Sequence, residues 1–373
     1  MKFNVPGKAF YQQLTAVSKV LNAKNALSIL DNFLLSVEGN TLTITGSDAE
    51  NVMSASLEVM DSDADGRVAL PAKRLLEVVK EISNQPLTLT VDEKSFKVDI
   101  NYLSGEFTFM GVDPAEFPVT PPQAADTTLN VPAAVVTAGL ENTLFAVSTE
   151  QIRPIMTGIC WDVHPEDITF VSSDTHKLVR YVNSTFKPGS EVKFILPSKP
   201  AAILKGLIDK EEGDISVRMD SKSAEFAFGP YTLNCRFIKG NYPNYNRVIP
   251  QDNPFTVTVD RQGLLSAVRR VSLFASKASS LVRFNIGDEG IGLASQDLDY
   301  STQASERVMC GYEGNPMTIG FNAQYMMEVL GNLKGDTIII RLSDPARPGL
   351  FVPAEQNEGE DVVMLQMPMQ VIE

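Results

Sequence analysis

Histidine, tryptophan and cysteine are scarce here: 373 residues contain two, one and three of them. Two histidines cannot build the usual His-rich metal centre, and Cys160, Cys235 and Cys310 stand singly, without the C-x-x-C spacing of a zinc or redox site. Reduced thiols, no metal and no cofactor are therefore expected. The sequence also lacks a long apolar run and an N-terminal charged-then-apolar segment with a small-residue cleavage site, which predicts a soluble, cytoplasmic protein. There is no GxxxxGK[ST] loop, GxGxxG fingerprint or HExxH helix, so nucleotide hydrolysis would have to come from a partner. Ser172, Asp174 and His176 are the residue types of a nucleophilic triad, but a spacing of two along a strand or turn does not converge on one substrate atom. No catalytic site is expected.

Positive charge is in deficit too. Acidic residues outnumber basic ones by 46 to 32, a formal charge of −14, and a surface carrying that charge evenly would repel nucleic acid. The 43% hydrophobic content is ample for two to three domains, each with its own core.

What the chain does have is repetition. Phe3-Asn4-Val5-Pro6 is echoed by Leu129-Asn130-Val131-Pro132 and more weakly by Val257-Thr258-Val259-Asp260. Thr45-Gly46-Ser47-Asp48 answers Val171-Ser172-Ser173-Asp174 and Ala294-Ser295-Gln296-Asp297, with the aspartates 126 and then 123 residues apart. Leu70-Pro71-Ala72-Lys73 matches Leu196-Pro197-Ser198-Lys199 and then Gly320-Phe321-Asn322-Ala323. This period is much longer than that of a solenoid, and prolines at 121, 122, 250 and 254 mark the joints. The reading is three copies of one domain, over 1–126, 127–253 and 254–373.

Within each copy the pattern runs strand, helix, several strands, helix, several strands: an α+β fold dominated by antiparallel sheet. Apolar residues at helical spacing, such as Phe10, Leu14, Val17 and Leu21, place six one-sided helices in windows 8–22, 73–82, 132–147, 198–210, 260–277 and 321–334, with Pro132 opening the third and Ser198 capping the fourth. Those windows hold thirteen basic and six acidic residues, so positive helices stand on a negative remainder. Helix propensity enriches Lys and Arg on any solvated helix, but Glu shares that propensity and is sparse. A phosphate-lined partner explains the bias.

The chain resembles the bacterial sliding clamps, the β subunits of the replicative DNA polymerase III holoenzyme. The resemblance spans essentially all positions and is most specific at Ser173-Asp174-Thr175-His176-Lys177-Leu178, at Asn241-Tyr242-Pro243-Asn244-Tyr245-Asn246-Arg247-Val248-Ile249-Pro250 and at Gln366-Met367-Pro368-Met369-Gln370. It implies three tandem clamp domains per chain and a head-to-tail homodimer closing into a ring, through which duplex DNA passes without regard to sequence. The ring would be a non-catalytic processivity factor in DNA replication. Its other implied partners are the replicative polymerase, the clamp loader and repair proteins, which engage it through short linear motifs.

By the same resemblance, Lys24, Gln151 and Arg153 are DNA-contact positions, and Lys73, Lys80, Lys199 and Lys205 are helix-borne candidates for the same role. Met156, Thr175, His176, Leu178, Pro243, Arg247, Val248, Met367, Pro368 and Met369 form a cleft for partner peptides, where flexible methionines suit several motifs. Arg74, Val78, Phe107 and Phe109 match one face of the dimer seam, and Leu273 with Phe274 the other. The sequence departs from the family at Thr175, where Gly is common, at Lys177 and Gln370, where Arg is frequent, and in ending with Ile372 and Glu373 beyond the usual apolar terminus. The competing reading is an acidic three-domain protein-binding scaffold that never encircles DNA.

Overall fold

A computed structural model describes residues 1–118, 125–208 and 213–371. Prolines 121 and 122 of the first joint, Asp209 and Lys210 of the fourth helical window, and Ile372 and Glu373 lie outside the described residues. Among the described residues no helix is long and apolar enough to cross a membrane.

Six α-helices are present among the described residues: α1 Gly7–Ser18, α2 Ala72–Ile82, α3 Ala133–Thr143, α4 Ser198–Ile208, α5 Arg261–Ser272 and α6 Ala323–Asn332. Each follows a strand directly, and local chemistry sets the break. Pro6, Pro71, Pro132 and Pro197 end their strands, where a residue without an N–H is tolerated. Pro132 is thus the last residue of a strand and not the first of a helix. In the third copy side chains do the capping: Asp260 Oδ1 accepts from the Gly263 N–H at 2.6 Å, and Asn322 Oδ1 from those of Gln324 and Tyr325 at 2.9 and 3.2 Å. Because strands end at Pro71, Pro197 and Asn322, the third landmark shifts by one residue, and Gln324 occupies the place of Lys73 and Lys199.

The chain divides into two compact units that cut across the repeat. The first comprises residues 1–133 and 199–237. It contains a five-stranded sheet in the order Asp61–Ser62, Lys2–Pro6, Pro86–Val91, Lys97–Tyr102, Gly105–Met110. Its eight-stranded sheet runs Thr127–Pro132, Asp214–Met219, Ser223–Phe228, Tyr231–Arg236, Asn51–Glu58, Thr41–Ser47, Asn32–Glu38, Gly66–Pro71. All pairings are antiparallel. At the seam between copies Tyr231 faces Ala55, Leu233 faces Met53 and Cys235 faces Asn51, so the last strand of copy two pairs with the strand after the Asp48 turn of copy one. Phe10, Leu14 and Val17 of α1 are fully buried, as the 3.6-residue spacing requires.

The second unit comprises residues 134–198 and 238–373. Its nine-stranded sheet joins Val192–Pro197, Gly158–His164, Asp167–Ser173 and Lys177–Asn183 of copy two to Glu360–Gln366, Gly349–Pro353, Thr337–Leu342, Phe255–Asp260 and Cys310–Glu313 of copy three. The join repeats the rule of the first unit. Lys177 faces Gln366 and Asn183 faces Glu360, so the last strand of copy three pairs with the strand after the Asp174 turn of copy two. A four-stranded sheet completes this unit in the order Thr302–Val308, Gly290–Asp297, Leu281–Gly287, Met317–Asn322.

Candidate functional site

The site lies in the second unit. Its floor is a cluster that includes Cys160, Val171, Leu178, Ile195, Tyr242, Tyr245, Ile249 and Leu365, with Ile155, Met156 and Ile238 half-buried against it. Burial pushes the Cys160 thiol up to about 12, so it behaves as a small apolar core residue. Above this floor stand groups left in solvent: Thr175, His176, Pro243 and Arg247 are exposed, while Val248 and Met367 are 46% and 38% exposed. An apolar base with a mixed rim is the composition of a peptide-anchoring groove.

Each wall has its own support. The Ser173–Lys177 turn is held by Asp174 Oδ1, which accepts the His176 and Lys177 N–H groups at 2.9 and 2.8 Å, and by Ser173 Oγ, which accepts from the Thr175 N–H at 3.1 Å. Thr175 takes φ +79°, in the left-handed region that a β-branched residue rarely adopts, so its backbone is strained. The loop carrying Pro243, Arg247 and Val248 is anchored by Tyr245, whose hydroxyl donates to Asp162 Oδ2 at 2.8 Å. Lys193 reaches the same carboxylate at 2.7 Å, and burial followed by the hydrogen bond to Asp162 pushes the Tyr245 phenol upward. The tail is pinned twice: the Met367 N–H donates to His176 O and the Met369 N–H to Gly320 O, both at 2.8 Å. Gly320 is needed there, because a Cβ would lie 2.8 Å from Met369 O and 2.9 Å from Val371 Cγ2. Beside the tail, Pro368, Met369, Gly320, Pro345 and Ala346 line a cavity of about 510 Å³.

The sequence did not point to the contribution of α6. The Lys177 side chain is only 5% exposed and pairs with Asp174 and with Glu328, whose oxygen is 2.8 Å from Nζ. Its ammonium sits 4.7 Å from the Tyr325 ring centroid, and His176 stacks on the same ring at 5.2 Å and 16°. Burial opposes the Lys177 charge, yet hydrogen bonds to Asp174 and Glu328 outweigh it and raise its pKa. The only forewarning was Tyr325 at the start of a helix whose apolar stripe begins at Met326.

Of the positions expected to touch DNA, Lys24, Lys73, Lys80, Gln151 and Arg153 are exposed, with Ile152 of the latter loop 85% exposed. Lys205 is half-buried. Lys199 needs correction: its ammonium donates to Val20 O at 2.6 Å, Asn22 Oδ1 at 2.7 Å and Asp48 Oδ2 at 2.6 Å. It ties copy two to copy one within the first unit and has no donor to spare for a phosphate. The basic excess shrinks as well, because Lys19, Lys277 and Lys334 fall beyond the helix ends and Lys210 is undescribed. The six helices carry nine basic and four acidic residues.

Burial raises the Asp48 pKa, but hydrogen bonds from Lys199 and Asn51 overcome it, and the net direction is down from 3.8. A carboxyl whose folded pKa is depressed adds stability above its unfolded value, and that stability is lost as pH falls through the folded value. Lys199→Ala is therefore expected to flatten the acid limb of stability below about pH 4, as measured by denaturant melts across pH. An unchanged slope would remove the pair from this role.

Of the expected seam residues, Leu273 is 79% and Phe274 42% exposed, Arg74 is exposed and Val78 half-buried. Phe107 is half-buried and stacks on Tyr102 at 5.2 Å. Phe109 is only 7% exposed and belongs to the core of its own unit; Phe107, two residues earlier on the same face of the strand, is the one left half-buried. Among the described residues no group of three or more His, Cys, Asp or Glu is placed to hold a metal.

The fold defines a class: a triplicated antiparallel α+β chain with an apolar cluster beneath an exposed, mixed rim. Comparison makes the class specific. Three sequence families match in order: the DNA polymerase III beta subunit N-terminal domain over residues 1–121, its central domain over 130–244 and its C-terminal domain over 246–370. The beta sliding clamp of Staphylococcus aureus is 24% identical over 378 aligned positions, covering 99% of both chains. A sliding clamp from Bartonella birtlesii, solved bound to griselimycin, is 26% identical with a TM-score of 0.92, and one from Pseudomonas aeruginosa, also bound to griselimycin, is 24% identical with a TM-score of 0.94; each covers 100% of both chains. The chain belongs to the DNA polymerase III beta subunit family, the bacterial sliding clamps.

Proposed function

We propose that two copies of this chain close head to tail around duplex DNA, forming a cytoplasmic, non-catalytic ring that tethers the replicative polymerase and other replication and repair proteins. Three domains, 1–126, 127–253 and 254–373, are the building blocks. One observation carries this reading. The strand after the Asp turn pairs with the last strand of the following copy at Asn51–Glu58 and again at Lys177–Asn183. The same two elements are left over at the ends: the last strand of copy one, Gly105–Met110, and the strand after the Asp297 turn, Thr302–Val308, are both sheet edges. Exposed edges invite pairing. Joining each to its counterpart on a second chain repeats the junction twice more, and closure leaves no edge of this kind.

Leu273, Phe274, Val78 and Phe107 supply apolar anchors beside those edges, with Arg74 as their charged neighbour. Lys24, Lys80, Gln151, Arg153 and Lys205 face the phosphates, and linear motifs enter the groove formed by Met156, Thr175, His176, Pro243, Arg247, Val248 and Met367–Met369, with Leu178 as its floor. Residence then depends on closure and not on affinity. Loaded onto nicked circular duplex by its clamp loader, the protein should resist dilution, and linearisation should release it unless the ends are blocked. Release from intact circles at the rate seen for open-ended DNA would favour the acidic scaffold reading instead.

A further inference from the structure

The internal junctions supply a template for the seam between chains, and the template includes a charge. At the first junction Lys199, the second residue of α4, enters a socket made by Asp48 Oδ2, Val20 O and Asn22 Oδ1. Asp48 Oδ1 is occupied by the N–H groups of Glu50 and Asn51, at 3.0 and 2.7 Å, while Oδ2 takes the lysine and the Asn51 side-chain amide at 3.0 Å.

The third copy contains the same socket without its lysine. Asp297 is 8% exposed and its Oδ1 accepts the Asp299 and Tyr300 N–H groups at 3.0 and 3.3 Å, while among the described residues no hydrogen bond or ion pair reaches Oδ2. Helices α1 and α5 are both twelve residues long and unwind identically: Lys19, Val20 and Leu21 donate to the carbonyls three residues back, as do Leu273, Phe274 and Ala275. Phe274 O therefore corresponds to Val20 O, and Ser276 to Asn22. A cavity of about 600 Å³ opens at this point, lined by Ser276 and Asp297 among others. Arg283 also lines it but makes no ion pair with Asp297 among the described residues.

The matching lysine is Lys73, the second residue of α2 as Lys199 is of α4, and it is exposed with no partner among the described residues. Asp297 Oδ2 is left without a partner among the described residues beside this cavity, and an ammonium is the group the equivalent socket takes. The middle junction shows what happens when the lysine is absent: Gln324 stands in its place, and Lys177 of the same turn pairs with Asp174 instead. The third copy has Tyr300 where that turn has Lys177, so it has no internal substitute.

We propose that Lys73 of one chain inserts into the Asp297 socket of the other, making it a seam residue and not a DNA contact. The inference rests on the head-to-tail pairing proposed above. Sedimentation of the full chain without DNA separates the two. If the native protein is monomeric at micromolar concentration, the pairing fails. If it is dimeric, Lys73→Ala should raise the dimer dissociation constant about a hundredfold, because roughly a tenfold loss at each of two seams multiplies. Asp297→Asn keeps the Oδ1 acceptor that folds the turn, and it should weaken the dimer similarly. The double variant should be no weaker than the weaker single. A native dimer unaffected by Lys73→Ala, or one in which the two losses multiply independently, overturns the assignment while leaving the pairing intact.

Discussion

Removal of the tail from Met367 onward is expected to lower affinity for a linear peptide from the replicative polymerase by more than about a hundredfold, since losing even one anchor from an apolar pocket costs about 2 kcal/mol or more. The tail is one wall of the groove and also its fastening. Met367 holds the carbonyl of His176, and Met369 holds that of Gly320, so deletion opens the wall and frees the His176 turn at once. The cavity beside Pro368 and Met369 loses half its lining. Assembly should persist, because among the described residues the edge Thr302–Val308 pairs with Gly290–Asp297 alone, the tail contributing only Met369 and Gln370 to one side of the cavity at Asp297. Fluorescence anisotropy with a labelled peptide, alongside sedimentation, measures both. Undiminished peptide affinity would show that the groove lies elsewhere.

The combined substitution Phe107→Ala and Leu273→Ala is expected to yield monomers at micromolar protein. Leu273 is 79% exposed in the single chain, too much apolar surface at a helix end to be left in water when Phe274 adjoins it. Phe107 presents a half-buried ring on the opposite edge, steadied by Tyr102. Aromatic and aliphatic anchors dominate interfaces of this kind, and each chain contributes both faces, so the loss counts at two seams. Sedimentation reads the mass, and a thermal melt of each single variant separates a broken seam from a loosened core. An unchanged dimer mass would remove these residues from the interface.

Much of the architecture was legible in the sequence because repetition multiplies a weak signal. One alternating stretch before Asp48 says little, but the same stretch before Asp174 and Asp297 fixes a period, and six amphipathic windows follow within a few residues of the helices. What the sequence withheld is non-local. Pairing of Tyr231 with Ala55, or of Lys177 with Gln366, joins segments far apart in the chain, and no local pattern encodes which edge meets which. Charges suffered most. Lys199 on a helix reads as a phosphate ligand until Asp48, from another copy, is placed beside it, and Phe109 reads as an anchor until its burial in its own unit is seen. Lys177 was noticed only as a replacement for arginine, whereas its burial between Asp174, Glu328 and the Tyr325 ring makes it the bolt between the Asp174 turn and α6.

The accounting of cations bears on salt dependence. Of the nine basic residues on the six helices, Lys199 is held by Asp48, Arg270 by Glu306, and Arg261 by the carbonyls of Gly335 and Leu330. Six others remain, and with Lys73 and Arg74 assigned to the seam, Lys8, Lys80, Lys205 and Arg269 are the helix cations left to displace counterions, so the salt dependence of the grip should follow these and the loop cations and not all nine. Of the three ties only that of Lys199 to Asp48 joins one copy to the next, so fastening the repeats together withdraws that cation from any polynucleotide.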